Sequence, residues 1–498
     1  MKSDKLMKLQ NGSDVRGIAA DGVEGEKVNL TATEANVIAQ GFALWLSKKT
    51  GKSVDTLKVG VGRDSRITGE ALANAVIQGL GSLGVETVDC KMATTPAMFM
   101  SIVFDETHFD GSVMITASHL PFNRNGLKFF DADGGLEHDD ITAILESAGE
   151  LSEKSSDKKA STFDLISLYS SHLLNTIKSG IKGAANSDKP LANLKIVVDA
   201  GNGAAGFFVS NLLDKLGADT TGSQFLNPDG LFPNHIPNPE NKAAMESIQS
   251  AVLANKADLG LIFDTDVDRM SAVFSDGTEV NRDAIIALSA AILAPEYPNS
   301  TIITDSVTSD RLTRFLEKEL GLKHHCFKRG YKNVINECKR LNAQGIVSPL
   351  AMETSGHGAL KDNYYLDDGA FLAVKIIIAL ANARLQGKSL ESLIEKLEPL
   401  VEDKEIRFKI NCEDFSIYGD EVLAEFKKRA EEKGFTLPKS YEGVRISFND
   451  AEKKGWLLLR KSLHDPVMPL NIEGERKGDV DKIYAVAKEL LAGFDKLS

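Results

Sequence analysis

The chain has 498 residues, 71 of them acidic against 58 basic, for a formal net charge of −13. That length suits three or four domains better than one core, and the ordinary apolar content excludes a disordered chain. The acidic balance argues against nucleic acid or an anionic membrane as a general partner, although a cleft can carry a local sign of its own.

In chain order, the N-terminus MKSDKLMKLQ has no apolar leader. Leu57 to Arg63 reads as a strand, followed by an amphipathic helix from about Gly69 that closes at Leu83-Gly84. Leu194 to Asp199 and Ser300 to Asp305 repeat the unit, their helices closing at Leu216-Gly217 and Leu320-Gly321. Three copies of strand, turn and helix predict three α/β domains of common design. Ala284 to Ala294 and Phe371 to Ala383 are the longest apolar stretches; both are too short for a bilayer and read as buried helices. Lys388 to Leu400 reads as a charged helix leading to a hinge near Pro399. Beyond it, Ile406 to Ile410, a helix near Asp420 to Gly434, Gly443 to Ser447 and Gly455 to Arg460 predict a smaller α+β domain with an antiparallel sheet. Cys90, Cys326, Cys338 and Cys412 have neither disulfide nor zinc spacing. A cytoplasmic enzyme is expected.

Several segments carry chemistry. Thr116-Ala-Ser-His-Leu-Pro121 follows the apolar run Ser112 to Ile115 and would expose a rigidly held Ser118, as a covalent nucleophile requires, though a plain polar turn has the same composition. Asp264-Thr-Asp-Val-Asp-Arg269 follows the strand Leu259 to Phe263; its alternate carboxylates offer hard oxygen ligands to Mg²⁺ if the chain turns sharply, and otherwise make a solvated acidic turn. An EF-hand is excluded, because Arg269 and Ser275 stand where Gly and Glu are needed. Asp199 to Gly206 contains G-x-G-x-x-G, with Asp219 as a conceivable ribose acid; its first glycine lies past the strand end, and the segment reads as a structural turn. Ala351 to His357 sets acceptor, hydroxyl and imidazole around one glycine, a pattern suited to sugar hydroxyls or to an ordinary polar loop. Arg460-Lys-Ser-Leu-His-Asp-Pro466 ends a strand with cations and donors, suiting either a phosphate cradle or a basic turn.

Together and in this order, these segments resemble the α-D-phosphohexomutase family, the enzymes that include phosphoglucomutases, phosphomannomutases and phosphoglucosamine mutases. The resemblance runs from Gly12 to Glu473 and takes in Gly12 to Gly17, Val61 to Arg66, Thr94 to Pro96 and Asn227 to His235. It implies an α/β fold of four domains around a central cleft: α/β domains at 1–160, 161–278 and 279–400, and a smaller α+β domain at 401–498. It further implies that Ser118 is the phosphoserine and, with Asp264, Asp266 and Asp268, a ligand of Mg²⁺. Arg16 and Arg269 would contact the phosphate in transit beside His119, and Lys128 would be the general acid/base. Glu353, Ser355, His357 and Lys332 would bind the sugar, while Arg460, Ser462 and His464 would grip the non-reacting phosphate. Leu120, Thr265, Met352, Arg329, His464 and Asp465 depart from the family pattern, in the catalytic and distal-phosphate loops.

Three functions are compatible with these residues. The first is a mutase interconverting hexose 1- and 6-phosphates, of glucose or mannose, with a sugar bisphosphate as activator. The second is a glucose 1,6-bisphosphate synthase charged by a sugar bisphosphate such as fructose 1,6-bisphosphate, motivated by the altered distal loop. The third is a non-catalytic sugar-phosphate sensor, against which the intact Ser118, Lys128 and acidic triplet stand. Hexose phosphates and bisphosphates are the expected partners, without nucleic acid or membrane, for a monomer or small homo-oligomer.

Overall fold

The computed structural model describes residues 2–462 and 465–498. The chain divides into two compact units, Met1–Asn281 with Ser355–Ser392, and Arg282–Thr354 with Leu393–Ser498. The domain read at 279–400 is thus shared between them.

The first unit carries two sheets. In one, strand Gly111–Ile115 pairs in parallel with Lys58–Arg63, which pairs in parallel with Glu86–Met92. On its other side Gly111–Ile115 runs antiparallel to Arg124–Asp131, which is antiparallel to Asp14–Ile18. Successive side chains of a strand face opposite ways, so a sheet covered on both sides is apolar throughout. Val59, Val61, Val113 and Ile115 enter one core with helices Ala32–Thr50, Gly69–Ser82 and His138–Gly149. The alternate positions Gly60 and Ser112 meet Met98 of helix Thr95–Val103.

The second sheet runs Glu279–Val280, Met270–Phe274, Leu259–Phe263, Ile196–Asp199. Leu259–Phe263 is parallel to Ile196–Asp199 but antiparallel to Met270–Phe274, and Phe263 pairs with Met270. Residues 264–269 are therefore a hairpin loop. Gly203 of the G-x-G-x-x-G turn abuts it: a Cβ there would lie 2.7 Å from the Thr265 carbonyl oxygen. The same unit holds helix Gly369–Leu385, whose cap Asp368 accepts from the Phe371 amide and the Tyr169 hydroxyl at 2.8 and 2.7 Å.

In the second unit, Thr301–Thr304 lies in parallel between Lys323–Cys326 and Leu350–Met352, with helices Asp283–Leu293 and Tyr331–Ala343. An antiparallel sheet follows, in the order Glu402–Lys409, Val467–Gly474, Lys454–Leu459, Val444–Asn449. Helices Phe415–Glu432 and Asp479–Leu490 share its core through Phe426, Ile446, Leu457 and Ile483. Three α/β layers and a smaller α+β C-terminal domain result, as the sequence predicts.

The glycines that close the repeated units, Gly84, Gly217 and Gly321, take φ of +88°, +87° and +65°. Only the first repeat has an unbroken α-helix; the second and third contain π-helical turns at Phe208–Leu213 and Phe315–Glu319. The helix expected over Lys388 to Leu400 is absent, and a 3-10 turn at Glu391–Leu393 stands in its place. Ser392 donates its hydroxyl to the Ser389 carbonyl at 2.6 Å, and Pro399 blocks continuation. Among the described residues, no helix is long and apolar enough to cross a membrane.

Candidate active site

The 116–121 loop continues strand Gly111–Ile115. Ser118, 3 % exposed, adopts φ +50°, a left-handed conformation rare outside glycine, and its amide donates to the Thr116 hydroxyl at 2.9 Å. Its Oγ donates to Asp264 Oδ2 at 2.8 Å and accepts from Arg269 Nη2 at 3.2 Å. His119 Nδ1 lies 3.4 Å from the same Oγ.

The hairpin loop folds back on itself, with Arg269 donating from its amide and its Nε to Asp264, each at 3.2 Å. Strand register sets Lys128 opposite Met114, and its Nζ reaches Asp266 Oδ2 at 3.1 Å and Asp268 Oδ2 at 2.5 Å. Thr95 completes the cluster: its hydroxyl donates to Asp266 Oδ2 at 2.5 Å and its amide to the Asp266 carbonyl at 2.9 Å.

This cluster fits a hard divalent cation. One oxygen from each of Asp264, Asp266 and Asp268 lies within 4.8 Å of the others. Asp266 Oδ1 and Asp268 Oδ1 are buried acceptors without a hydrogen-bond partner, a costly condition that an oxygen-seeking ion relieves. The electrostatics agree. Burial, then the charges of Asp268 and Asp266, push the Asp264 carboxyl well above its ordinary range. Asp268 goes the other way: burial opposes ionisation, but Lys128, His357 and Arg269 hold it far below the usual carboxylate range.

The segment after Thr354 borders the same loop. Arg269 and His357 form a backbone bridge, and His357 Nδ1 bonds Asp367 Oδ2. Burial would lower His357, but Asp367 and Asp268 raise it to about 9. His119 is driven down to about 2 by burial, with Arg269 and Arg16 adding to the effect, and is a neutral imidazole. Arg16 donates to Asp14 Oδ2 at 2.9 Å, and Ser355 is buried.

Ser118, His119, Lys128, Arg16, Asp264, Asp266, Asp268, Arg269, Ser355 and His357 thus belong to the first unit. Glu353, Lys332, Arg460 and Ser462 belong to the second. There Glu353 Oε1 accepts the Gly330 amide at 2.6 Å, and Lys332 stands in the first turn of helix Tyr331–Ala343. Arg460 is buried with its Nε unbonded, and burial followed by Arg329 lowers its pKa. The Ser462 amide donates to the Val467 carbonyl at 3.0 Å, and its hydroxyl accepts from the Asp465 amide at 3.3 Å. His464 lies outside the described residues.

Sequence reasoning left Thr95, Asp367 and Arg66 without roles. For Thr95 a signal existed: in Thr94-Thr-Pro96, Thr94 caps the helix through the Ala97 amide at 3.2 Å, which leaves the second threonine at the helix start facing the acids. Asp367 meets His357 and Gly358 only ten and nine residues away, but no motif announces the pairing, and the Arg66 contacts reach across more than fifty residues.

Three family descriptions match the chain: "Phosphoglucomutase/phosphomannomutase, alpha/beta/alpha domain I" over residues 7–155, domain II over 168–277 and domain III over 281–400. A phosphomannomutase/phosphoglucomutase of Pseudomonas syringae pv. tomato is 29 % identical over 480 residues, covering 95 % of this chain and 92 % of that one. A phosphoglucosamine mutase of Lactobacillus helveticus is 31 % identical over 397 residues, covering 78 % and 82 %. The crystal structure of a phosphoglucomutase/phosphomannomutase family protein from Burkholderia thailandensis aligns with a TM-score of 0.79 at 26 % identity, covering 99 % of this chain and 98 % of that one.

Proposed function

Because the chain belongs to the α-D-phosphohexomutase family, phosphotransferases of the phosphoglucomutase/phosphomannomutase type, we propose that it interconverts hexose 1-phosphates and hexose 6-phosphates through a phosphorylated Ser118. Glucose and mannose phosphates are the expected substrates. The observation that carries the reading is the position of Ser118 Oγ, 2.8 Å from Asp264 and 3.2 Å from Arg269, beside two buried acidic oxygens that lack hydrogen-bond partners.

Phosphoryl transfer spreads charge over the oxygens of the moving group, so catalysis rests on positioning and on compensating charge. Asp264, Asp266 and Asp268 would hold Mg²⁺, which when bound supplies positive charge to the phosphoryl oxygens. Arg269, already on Ser118 Oγ, follows that oxygen as its bond to phosphorus forms or breaks. In the forward step a sugar hydroxyl oxygen bonds the phosphorus, the Ser118 Oγ–P bond breaks, the hydroxyl proton leaves to a base, and Oγ takes up a proton to become the serine hydroxyl again. The second transfer reverses these bonds at the other end of the sugar. Lys128, as the free amine, takes the sugar hydroxyl's proton and returns it in the second transfer, its ammonium form being the one that Asp266 and Asp268 hold. His119 lies beside Oγ, its Nδ1 3.4 Å away. Glu353, Ser355, His357 and Lys332 are the sugar-binding residues, and Arg460 and Ser462 the donors to the non-reacting phosphate.

Phosphorus NMR of glucose 1-phosphate with Mg²⁺ tests this. Conversion to glucose 6-phosphate with only trace glucose 1,6-bisphosphate is the expected result. Accumulation of glucose 1,6-bisphosphate at the expense of added fructose 1,6-bisphosphate would instead establish a synthase. If glucose and mannose phosphates both stay unchanged, the mutase reading fails.

A further inference from the structure

We propose that Arg66 is a positioning residue for the transfer, holding the backbone that presents Ser118, with residues 227–240 as its brace; this rests on the reading of Ser118 as nucleophile. The Arg66 guanidinium does not touch the Ser118 hydroxyl. Buried at 2 % exposure, its Nη1 donates to the carbonyls of Pro121 and Arg124, each at 2.8 Å, and its Nη2 to those of Ser118 and Leu120 at 2.5 and 2.6 Å. Four carbonyls of one loop therefore turn inward onto a single side chain. Asp64 fixes the fork from behind, its Oδ2 3.4 Å from Arg66 Nε and its Oδ1 accepting the Arg66 amide at 2.9 Å.

Two features make this more than packing. Ser118 holds φ +50°, which persists in an L-residue only where the surroundings impose it, and Arg66 bonds that residue's own carbonyl. The 227–240 segment also joins Arg66 to Arg269. At Gly230 a Cβ would lie 2.4 Å from the Ile67 nitrogen and 2.5 Å from the Ser65 carbonyl oxygen, so backbone rests on backbone. The Phe232 ring faces the guanidinium at 5.3 Å. Further along, His235 Nε2 is anchored 3.0 Å from Asp199, and Asn238 and Glu240 reach Arg269 at 3.4 and 3.8 Å. One segment thus braces the arginine that holds the Ser118 backbone and the arginine that holds its hydroxyl.

The test is Arg66→Lys in the full chain, with Gly230→Ala as a second variant remote from Ser118. Lysine keeps the charge, but its donors radiate from one nitrogen and cannot serve four carbonyls spread along a planar fork. Displacing a reacting group by about 1 Å costs roughly 100-fold, so the expected kcat loss is of that order, with the KM for glucose 1-phosphate changed no more than a few-fold. Amide hydrogen exchange over 117–124, read without substrate, speeds up in both variants while the rest of the first sheet keeps its protection. Wild-type kcat in Arg66→Lys, or lost kcat with unchanged exchange over 117–124, overturns the proposal. Should Arg66→Lys not fold, Gly230→Ala decides by the same two readings. A wild-type protein that moves no phosphoryl group overturns the functional reading instead, and the exchange data still settle whether Arg66 holds the loop.

Discussion

Replacing Thr95 by valine isolates one hydrogen bond to the acidic cluster. Valine keeps the shape and branching, the Thr94 cap on the Ala97 amide and the Thr95 amide bond to the Asp266 carbonyl both survive, and only the 2.5 Å hydroxyl contact to Asp266 Oδ2 is lost. A hydrogen bond to a charged group contributes about 1.5–3 kcal/mol. At about 1.4 kcal/mol per tenfold, that is roughly 10- to 100-fold in Mg²⁺ affinity, the range found when a residue orienting a metal ligand is removed. The direction follows from orientation: with Oδ2 tied to Thr95 and Lys128, the partnerless Oδ1 is turned to where an ion would sit. Calorimetric titration of Mg²⁺ at fixed ionic strength should show the weaker binding in Thr95→Val and its recovery in Thr95→Ser. Losing a donor also makes a carboxylate more basic. Equal or tighter binding by Thr95→Val would mean that basicity sets the affinity, and would refute the argument from orientation.

Three further outcomes are expected. Lys128→Met removes the cation shared by Asp266 and Asp268, and kcat at saturating substrate should fall about 10²- to 10⁴-fold, as initial rates will show. Ser118→Ala should take up no phosphoryl group from glucose 1,6-bisphosphate, read by intact mass, and should convert no hexose phosphate. His324 in the second unit is lowered from 6.5 to about 3, first by burial and then by Arg445, so between those values the folded state binds fewer protons than the unfolded one. Stability therefore rises with pH across that window and is lost on acidification from 6.5 towards 3, with a slope approaching about 1.4 kcal/mol per pH unit. Urea midpoints against pH should show this slope, reduced in His324→Gln by up to one proton.

What the sequence made legible was local. The alternation and β-branched runs of Lys58–Arg63, Ile196–Asp199 and Thr301–Thr304 announce buried strands, and the glycines at 84, 217 and 321 announce helix ends because left-handed φ favours them. Asp264, Asp266 and Asp268 stand out because three acids after an apolar strand need a reason to be there. The bond from Ser118 to Asp264 spans 146 residues of sequence and was approached only through the family resemblance. Arg66 was invisible for the opposite reason: an arginine in a charged turn usually faces water, and nothing local shows that four carbonyls will converge on it. The missing helix after Lys388 reflects helical periodicity outweighed by two serines that bond the backbone and by a proline.

The charge count of the first unit's cluster leads to a last prediction. Asp264, Asp266 and Asp268 bring three negative charges, Lys128 and Arg269 return two positive ones, and the His357–Asp367 pair cancels itself. Burial, with the charges of Asp268 and Asp266 added to it, is what pushes the Asp264 carboxyl upward. A phosphoryl group on Ser118 adds up to about two more negative charges at pH 7, which a divalent cation matches. Cation and phosphoserine therefore enter together with little change in net charge, whereas either one alone unbalances a buried site. By linkage each should raise the affinity for the other, and couplings of this kind run from about 5- to 150-fold. The measurement is Mg²⁺ affinity in phosphorylated and dephosphorylated protein, compared at one ionic strength. Affinity at least several-fold tighter in the phosphorylated form is expected. Equal affinity would mean that the phosphoryl group and the acids do not share one ion, and the assignment of Asp264, Asp266 and Asp268 as its ligands beside Ser118 would have to be given up.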